Sequence, residues 1–253
     1  MYEPLPTEKE LRLLFPENKR LVIAEIGACE GEDTIKYGHF FPGSEIYAFE
    51  PLPHNIKIAK SNFKNDGLST IKLIEKAISD KNGSAQFHIS KGNPPGINDN
   101  WDYGNKSSSL LLPAKHKEIS DFITFDQTII VDTVTLDEFC RENNIHGIDF
   151  VHIDVQGAEL MVLNGAVNSL RFIKAIWVEV STIELYKNQP LAEDIDVFLN
   201  KSGFVMIRDC LYGMSGERLY IAKSFFPKYR RMFPAWTRRR SLLRKVLRQA
   251  GFD

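Results

Sequence analysis

Short apolar runs alternate with longer polar segments along most of the chain. The first run, residues 21–26, has the length and composition of a strand that is buried on both faces. A second run at 46–49 follows a segment that begins as a helix near Asp33. Such alternation of strands and helices predicts an α/β fold with a mostly parallel sheet.

The same pattern places the other elements. The last two strands are joined by a short connection, which predicts a C-terminal antiparallel hairpin on the parallel sheet. The full prediction is a Rossmann-like, mostly parallel sheet of seven strands with an insertion between strands 3 and 4. Helices are predicted at 7–20 (ending near Pro16), 53–66, 136–143, 159–166 and 186–200, and further strands at 71–78, 85–89, 129–134, 148–154, 175–180, 204–208 and 218–222.

The predicted insertion begins with a tight-turn sequence at residues 80–83, followed by an alternating strand at 85–89. Residues 91–127 then form a long stretch rich in Gly, Asn, Ser and Pro, and this stretch carries Trp101 and Tyr103. A loop of this length is usually a lid or binding loop, or it is disordered. Aromatic rings and amides together suit a sugar substrate, while a mobile surface loop is the open alternative.

The turn after the first strand carries the most informative motif. Glu25, Gly27 and Gly31 stand at a spacing that differs from the G-x-G-x-x-G of dinucleotide folds, and a carboxylate occupies the place of the first glycine. Glu30 and Glu32 add negative charge at the helix start. This turn suits a ligand that lacks phosphates and has a cationic end, as S-adenosylmethionine (SAM) does. A plain α/β turn with chance glycines is the alternative.

Glu50 ends the second strand, 23 residues after Gly27. A carboxylate there can accept both hydrogen bonds of a ribose diol. Ala77 and Ile78 end the predicted third strand, and ligands of open α/β sheets bind outside the carboxyl ends of strands. These two residues are therefore predicted walls for an adenine ring, with a role in the apolar core equally open.

A second motif follows the predicted fourth strand, which ends at Asp154. Asp154 is the first candidate for a general base, and it could instead bind a magnesium ion, hold the methionyl ammonium or cap the next helix. Glu159 opens that helix and could share the metal or base role. His152 and His116 are the second and third candidates for the base, although a packed, hydrogen-bonded role is the commoner fate of such histidines.

Composition narrows the class of protein. The 253 residues are 43% hydrophobic and 26% charged, as in ordinary globular proteins, and no apolar run is long enough to span a membrane. Three widely spaced cysteines, Cys29, Cys140 and Cys210, form neither a metal motif nor a disulfide framework. Together with a polar, acidic N-terminus without a secretory pattern, this predicts a reducing, cytoplasmic location.

The charge is unevenly distributed. Ten Lys or Arg residues and one acidic residue lie from Lys223 onward, whereas the net charge of the whole chain is −1. We therefore divide the chain into a catalytic domain at 1–223 and a basic amphipathic tail at 224–253. The tail could contact the inner face of an anionic membrane, dock on the acidic body or mediate self-association. A nucleic-acid partner is not expected.

The chain resembles the FkbM family of SAM-dependent methyltransferases from about residue 21 to residue 223. The family typically has D-V-E-G-A-E after the fourth strand, whereas this chain has Gln156 for the first Glu; it also has His152 where Lys is frequent. The matching pieces are EIGACEG, YAFEP, EKAISDKNGSAQFHIS, SSSL, VDTVTLDEF, HIDVQGAELMVLNGA and WVEVS.

The resemblance implies a class I methyltransferase fold, SAM as cofactor, and O-methylation of a sugar, glycan or related natural product. It implies cofactor contacts from Glu25, Gly27, Gly31 and Glu50, and substrate contacts from Ser108, Ser109 and Asp154. Two other classes remain as alternatives: a nicotinamide-dependent oxidoreductase, and a non-catalytic nucleoside-binding module of the same fold.

Overall fold

The computed structural model describes residues 7–15, 19–68, 70–96 and 102–225, and within these ranges the strands form two sheets. The main sheet has seven strands and the second has three. The strands are β1 (Val22–Ile26), β2 (Glu45–Phe49), β3 (Ile71–Ile74), β4 (Ala77–Ile78), β5 (Gly83–Lys91), β6 (Thr124–Val134), β7 (Ile148–Ile153), β8 (Ile173–Ser181), β9 (Phe204–Asp209) and β10 (Ser215–Ala222).

The helices cover the main sheet and connect its parallel strands. Two 3-10 turns, at Asn105–Ser107 and Ser169–Phe172, complete the helical elements of the described ranges. The α-helices are α1 (Glu8–Leu14), α2 (Glu32–Phe40), α3 (Pro53–Asn65), α4 (His116–Ile119), α5 (Leu136–Glu142), α6 (Glu159–Asn164) and α7 (Ala192–Lys201).

The main sheet has the strand order β3-β2-β1-β7-β8-β10-β9. Strands β3, β2, β1, β7 and β8 are parallel to one another, and β10 runs antiparallel to both β8 and β9. The predicted parallel sheet with a C-terminal antiparallel hairpin is therefore confirmed. The order reverses between β1 and β7, and ligands of open α/β sheets bind at such a point.

Apolar side chains on both faces of the sheet form the core. On one face, Ile23 of β1 and Phe150 of β7 pack with α1 and with Tyr37 of α2. On the other, Ala24 and Val151 pack with α5, α6 and α7. Alternation along each strand therefore supplies both cores, and burying each large side chain stabilises the fold by about 1.5–3 kcal/mol.

The predicted third strand at 71–78 is wrong in its extent. Strand β3 ends at Ile74, and a tight turn in which the Lys76 amide donates to the Ile74 carbonyl (2.9 Å) separates it from β4. Strand β4 pairs with β6 in the second sheet. The charged pair Glu75 and Lys76 interrupts the apolar run, and both side chains are exposed at the break.

The predicted helix at 186–200 is too long at its start. Helix α7 begins at Ala192, and the residues before it form a loop. Pro190 disfavours helical backbone at the residue before it, so a helix cannot continue through this point. The Asp194 carboxylate accepts the Leu191 amide (2.9 Å), which fixes the true start.

The insertion lies between β3 and β7, as predicted, but it holds more structure than expected. Strands β5 and β6 are longer than the predicted 85–89 and 129–134, and they pair with each other antiparallel. Strand β6 also separates β5 from β4, so the turn at 80–83 joins two strands that are not partners. Trp101 and the tail from residue 226 onward lie outside the described residues.

A bilayer-spanning helix would need a long apolar segment. In the described ranges, every helix is too short or too polar to cross a membrane.

Candidate functional site

The glycine turn, residues 27–31, follows β1 at the point where the strand order reverses. Gly27 has a φ of +94°, and a Cβ there would stand 1.8 Å from the Asp154 carbonyl oxygen. The Gly27 and Ala28 amides both donate to the Phe49 carbonyl (3.0 and 2.9 Å). The turn therefore passes directly between β2 and β7, and only glycine fits at position 27.

Gly31 closes the same turn at the start of α2. Its φ is +84°, and a Cβ there would stand 2.4 Å from the ring of Phe63 on α3. The missing side chain allows α2 to pack against α3 at the end of the turn. Gly31 is not among the residues that line the pocket.

Glu50 lies directly after β2 with 4% of its surface exposed. One carboxylate oxygen accepts the Cys29 amide (2.9 Å), and the other accepts the Leu52 amide (2.8 Å) and the Asn55 side-chain amide (3.4 Å). Burial outweighs these hydrogen bonds and raises the pKa of Glu50 to about 7. The main chain thus fixes this carboxyl group beside the glycine turn.

Glu50 and Asp154 line one common pocket at the carboxyl ends of the central strands. Asn55 also lines the pocket, and its buried carbonyl oxygen Oδ1 has no hydrogen-bond partner. A buried acceptor without a partner costs stability, and a ligand hydroxyl would satisfy it.

The apolar wall of the pocket comes from both sheets. Ile26 and Phe49 end β1 and β2, and Ala77 and Ile78 form β4. Both Ala77 and Ile78 are buried, and each contacts an apolar cluster of the core as well as the pocket. The two roles that the sequence leaves open for these residues are therefore compatible.

Asp154 and Gln156 line the opposite end of the pocket, after β7. The Gln156 side-chain nitrogen donates to the Asp154 carboxylate (2.6 Å) and to the Glu179 carboxylate (3.0 Å). Since β7 and β8 are neighbours in the sheet, Asp154 and Glu179 extend from adjacent strands. The arrangement places two carboxyl groups and one bridging amide where an acceptor molecule would meet the pocket.

Glu159 holds the loop that carries Asp154 and Gln156. Its buried carboxylate accepts the amides of Gly157 (3.0 Å) and Val155 (3.3 Å). Burial is the main cause that raises the pKa of Glu159 to about 7. Ser109, also buried, donates to the Gln156 carbonyl (2.7 Å) and ties the insertion to this loop.

Glu25 and His152 lie under the glycine turn, on the face of the main sheet that α2 covers. The Thr34 hydroxyl donates to the Glu25 carboxylate, and burial raises the pKa of Glu25 to about 8. Burial alone would lower the pKa of His152, but the Glu217 carboxylate at 3.6 Å and Glu25 at 4.0 Å outweigh it and raise the pKa to about 9. Neither side chain lines the pocket.

In the described ranges, one group of three side chains could hold a metal ion: Glu25, Asp33 and His152, with ligand atoms within 4.8 Å of one another. This group lies behind the glycine turn and excludes Asp154. Oδ1 of Asp154 accepts from the Gln156 side-chain nitrogen, and a donor nitrogen in this position suits a cation poorly. The magnesium ion considered for Asp154 is therefore not supported by the described residues.

The insertion covers the glycine turn through Asn105 and Lys106. The buried Asn105 amide donates to Glu30 (3.1 Å), and Lys106 forms an ion pair with Glu32 (2.8 Å). Both residues line the pocket, as does Ser108. Ser108 donates toward the carbonyl of Asn105 (3.3 Å) and accepts the Ser90 amide (3.0 Å), so its hydroxyl is held by the insertion itself.

His116 lies apart from the pocket lining, in a buried cluster with Tyr186. The Tyr186 hydroxyl donates to the Ser107 carbonyl (2.6 Å) and lies 3.0 Å from His116 Nε2. That hydroxyl has one proton, so Nε2 is the donor in the second contact, and His116 Nδ1 is left without a partner. Burial lowers the pKa of His116.

Tyr103 is 39% exposed at the outer side of the insertion, and its amide donates to Asn93 (3.0 Å). It is not among the pocket residues. The predicted cofactor and substrate residues that the structure brings to one pocket are Gly27, Glu50, Ala77, Ile78, Ser108 and Asp154.

Four pocket or neighbouring residues were missed as functional candidates: Asn55, Asn105, Gln156 and Glu179. Glu179 had a usable signal, since it lies near the end of the strand next to that of Asp154. Asn55 and Asn105 had none, because their positions depend on how α3 and the insertion meet the glycine turn.

The fold and the pocket define a class I methyltransferase, and the comparisons agree. Residues 25–206 match the model of the methyltransferase FkbM domain. The chain therefore belongs to the FkbM methyltransferase family, and the predicted family is confirmed.

Two named relatives support the assignment. The 2-O-methyltransferase NoeI of Sinorhizobium fredii is 33% identical over 199 residues, covering 78% of each chain. The methyltransferase sdnD of Sordaria araneosa is 26% identical over 200 residues, covering 74% of each chain.

Solved structures show weaker similarity. TrmK of M. capricolum in complex with S-adenosylhomocysteine (SAH) has a TM-score of 0.46 at 13% identity, covering 87% of this chain and 69% of that one. The precorrin-6y C5,15-methyltransferase of Geobacter metallireducens has a TM-score of 0.43 at 14% identity, covering 85% and 84%. At TM-scores below 0.5, the family match and the strand order remain the basis of the assignment.

The protein is thus a methyltransferase that uses SAM. This assignment replaces both alternatives, a nicotinamide-dependent oxidoreductase and a non-catalytic nucleoside-binding module.

Proposed function

We propose that this methyltransferase modifies a hydroxyl oxygen of a sugar, glycan or related natural product. One observation carries the proposal: a single pocket has the Glu50 carboxyl group, placed to bind a ribose, at one end. The Asp154–Gln156–Glu179 group lies at the other end. The name of the relative NoeI, a 2-O-methyltransferase, supports oxygen as the methylated atom.

The cofactor would lie along the carboxyl ends of β2, β1 and β7. Glu50 and the unpartnered Asn55 oxygen would accept the ribose hydroxyls, and Ala77 and Ile78 would contact the adenine. The methionyl part would lie against the glycine turn, since Gly27 lines the pocket. When bound, SAM supplies an electrophilic methyl group on a sulfonium.

Asp154 would receive the proton of the acceptor hydroxyl. It lines the pocket and is fixed by Gln156, so that it needs no reorganisation to meet an acceptor. His152 and His116 are poorer candidates because both are buried away from the lining residues. Holding acceptor and cofactor in line should contribute most, since alignment can lower a barrier by about 7–11 kcal/mol.

The acceptor would enter beneath the insertion. Ser108 and Lys106 line the pocket from that side, and neutral hydroxyls are good donors to the carboxyl groups at its end. Phosphate or carboxylate groups would be repelled by the Asp154 carboxylate. We therefore expect neutral sugars to be preferred over phosphorylated or acidic ones.

The test is transfer of a labelled methyl group from SAM to a panel of neutral glycosides, with sugar phosphates and uronic acids for comparison. Parent protein should label neutral glycosides, and Asp154→Asn should lose at least about a hundredfold in rate while still binding SAH in calorimetry. Equal labelling by the Asn variant would remove Asp154 from the base role. Label in none of the glycosides would contradict a sugar acceptor.

We propose in addition that the basic tail, residues 224–253, brings the enzyme to the anionic inner face of a membrane. Phe225, where the described chain ends, stacks on Phe15 (5.9 Å), which places the start of the tail beside α1. The basic and apolar residues of the tail suit an interfacial helix.

Sedimentation with vesicles tests the role of the tail. Full-length protein should pellet with vesicles rich in phosphatidylglycerol, and replacing Arg238, Arg239 and Arg240 with Ser should reduce the pelleted fraction and leave SAH binding intact. Equal pelleting by both would contradict membrane contact. A dimer-to-monomer change in sedimentation velocity would assign the tail to self-association instead.

A further inference from the structure

The ends of β7 and β8 bring Asp154 and Glu179 together at the acceptor end of the pocket. His152 of β7 is paired with Trp177 of β8, and two residues further along each chain come Asp154 and Glu179. Side chains two apart lie on the same face of a sheet, so these two carboxyl groups extend side by side. Asp154 lines the pocket, and Glu179 lies behind it.

Gln156 connects the pair. Its side-chain nitrogen has two hydrogen atoms, and it donates to Asp154 at 2.6 Å and to Glu179 at 3.0 Å. Both carboxyl groups accept from this one nitrogen, so they lie close together in the same site. Two carboxyl groups that share a site do not both ionise readily, so one of them holds a proton.

The surroundings decide which group holds that proton. Burial, and then the neighbouring Asp154 and Glu159 carboxylates, raise the pKa of Glu179 well above its ordinary value. Strand β10 adds a further acid, since Glu217 is paired with Glu179 in register. The charged or titratable groups that interact with the pair are Glu159, Glu217, His152, Tyr186, Glu25 and Tyr37.

We propose that Glu179 is a positioning residue that keeps the proton of this pair and leaves Asp154 as the carboxylate that deprotonates the acceptor. In this step the acceptor O–H bond breaks, and its proton forms an O–H bond with Asp154. The electron pair left on the acceptor oxygen would form the new bond to the methyl group of SAM, while the methyl–sulfur bond would break and leave its electron pair on sulfur, giving SAH. Asp154 then loses the proton to water after the product leaves, and Glu179 ends the cycle unchanged. The inference rests on the proposed function.

Glu179→Gln and Glu179→Ala separate this role from a structural one. A glutamine is neutral and can still accept from Gln156, as a protonated glutamate can, but it cannot titrate. An alanine removes the acceptor. If Glu179 only filled space, the two variants would differ in stability and not in the chemistry of Asp154.

Infrared spectroscopy of the full-length protein with bound SAH at neutral pH tests the proton directly. The difference between parent and Glu179→Gln should contain the C=O band of one protonated carboxyl group. Glu217→Gln is the matched control on the neighbouring strand, and it should leave that band in place. A parent-minus-Gln spectrum without the band would overturn the proposal.

Kinetics with a glycoside found in the labelling panel give the second test. Glu179→Ala should lower kcat at least about tenfold with little change in acceptor KM, and Glu179→Gln should recover part of this loss. The alkaline fall in the pH profile of the parent should be weaker in Glu179→Gln. Equal kcat and an unchanged profile in both variants would contradict the positioning role.

The two tests separate this inference from the proposed function. The infrared band reports the proton pair even if no glycoside is labelled. An inactive parent would therefore count against the sugar acceptor, while a missing band would count against Glu179.

Discussion

The two ends of the pocket are built in different ways. At the cofactor end, main-chain amides of Cys29 and Leu52 fix Glu50, and the backbone of Gly27 passes against β7. At the acceptor end, Asp154, Gln156 and Glu179 are held by one another through side chains. The first end is determined by backbone geometry and the second by side-chain chemistry.

This difference explains which positions tolerate change. A backbone that turns at positive φ beside another strand leaves no alternative to glycine at position 27. A side-chain network can be rebuilt with another hydrogen-bonding residue, and this chain has Gln156 where the family typically has Glu. The cofactor end therefore tolerates substitution less than the acceptor end does.

The largest effect is expected for Gly27→Ala. The added Cβ would stand 1.8 Å from the Asp154 carbonyl oxygen, so β1 and β7 would have to separate. We expect loss of measurable SAH binding and a destabilisation of more than about 3 kcal/mol in chemical unfolding. Gly213→Ala is the control, because its φ is +66° with no atom within 4 Å of the added Cβ. It should cost only about 1–2 kcal/mol, and equal losses in both variants would refute the steric argument.

Glu50→Ala should give the next largest effect. It removes a buried acceptor for the ribose hydroxyls and leaves the Cys29 and Leu52 amides without their partner. Charged hydrogen bonds of this kind contribute about 1.5–3 kcal/mol, so SAH affinity in calorimetry should fall about 10-fold to 150-fold. Glu75→Ala removes an exposed acid from the end of the neighbouring strand and should change affinity less than about twofold.

The buried acid at position 50 also predicts a pH dependence. Its pKa is raised from 4.5 to about 7 in the folded protein, so the folded state keeps a proton that the unfolded chain has already released. The free energy of unfolding should therefore fall as the pH rises from about 4.5 to about 7. Glu50→Gln cannot titrate, so its loss of stability across this window should be smaller by about 1–3 kcal/mol.

Urea unfolding of ligand-free protein at a series of pH values measures this effect. Glu75→Gln serves as the exposed control and should follow the parent. Identical pH dependence in the parent and Glu50→Gln would show that Glu50 does not hold the extra proton. Some pH dependence of the free energy of unfolding should remain in Glu50→Gln, because the pKa of Glu159 is also raised to about 7.

The same contrast explains what the sequence could predict. Apolar runs, the glycine turn and the acid at position 50 are local features of a strand–turn–helix–strand unit, and they are sufficient to predict the cofactor end. The family and the order of the main elements followed from them. The break at Glu75 was missed because the apolar pattern resumes at Ala77, although those residues pair with β6 in the second sheet.

The acceptor end depends on contacts between residues far apart in the chain. Tyr186 was assigned to a helix, yet it packs from a loop against His116, 70 residues earlier. Glu179 and Gln156 become a pair with Asp154 only because β8 lies beside β7. No spacing in the sequence encodes such a contact, so a prediction there requires the strand order first.

The smallest effect is expected where the insertion meets the glycine turn. Lys106 forms an ion pair with Glu32 in which the side chains are 50% and 39% exposed, and such pairs contribute about 0.2–1 kcal/mol. Lys106→Ala should therefore weaken SAH binding in calorimetry by less than about fivefold. Asn105→Ala is the matched comparison, since its buried amide bonds to Glu30, and it should cost more. If Lys106→Ala instead lowered SAH affinity as much as Glu50→Ala, the insertion would contribute as much to cofactor binding as the main chain around Glu50. The contrast between the two ends of the pocket would then fail.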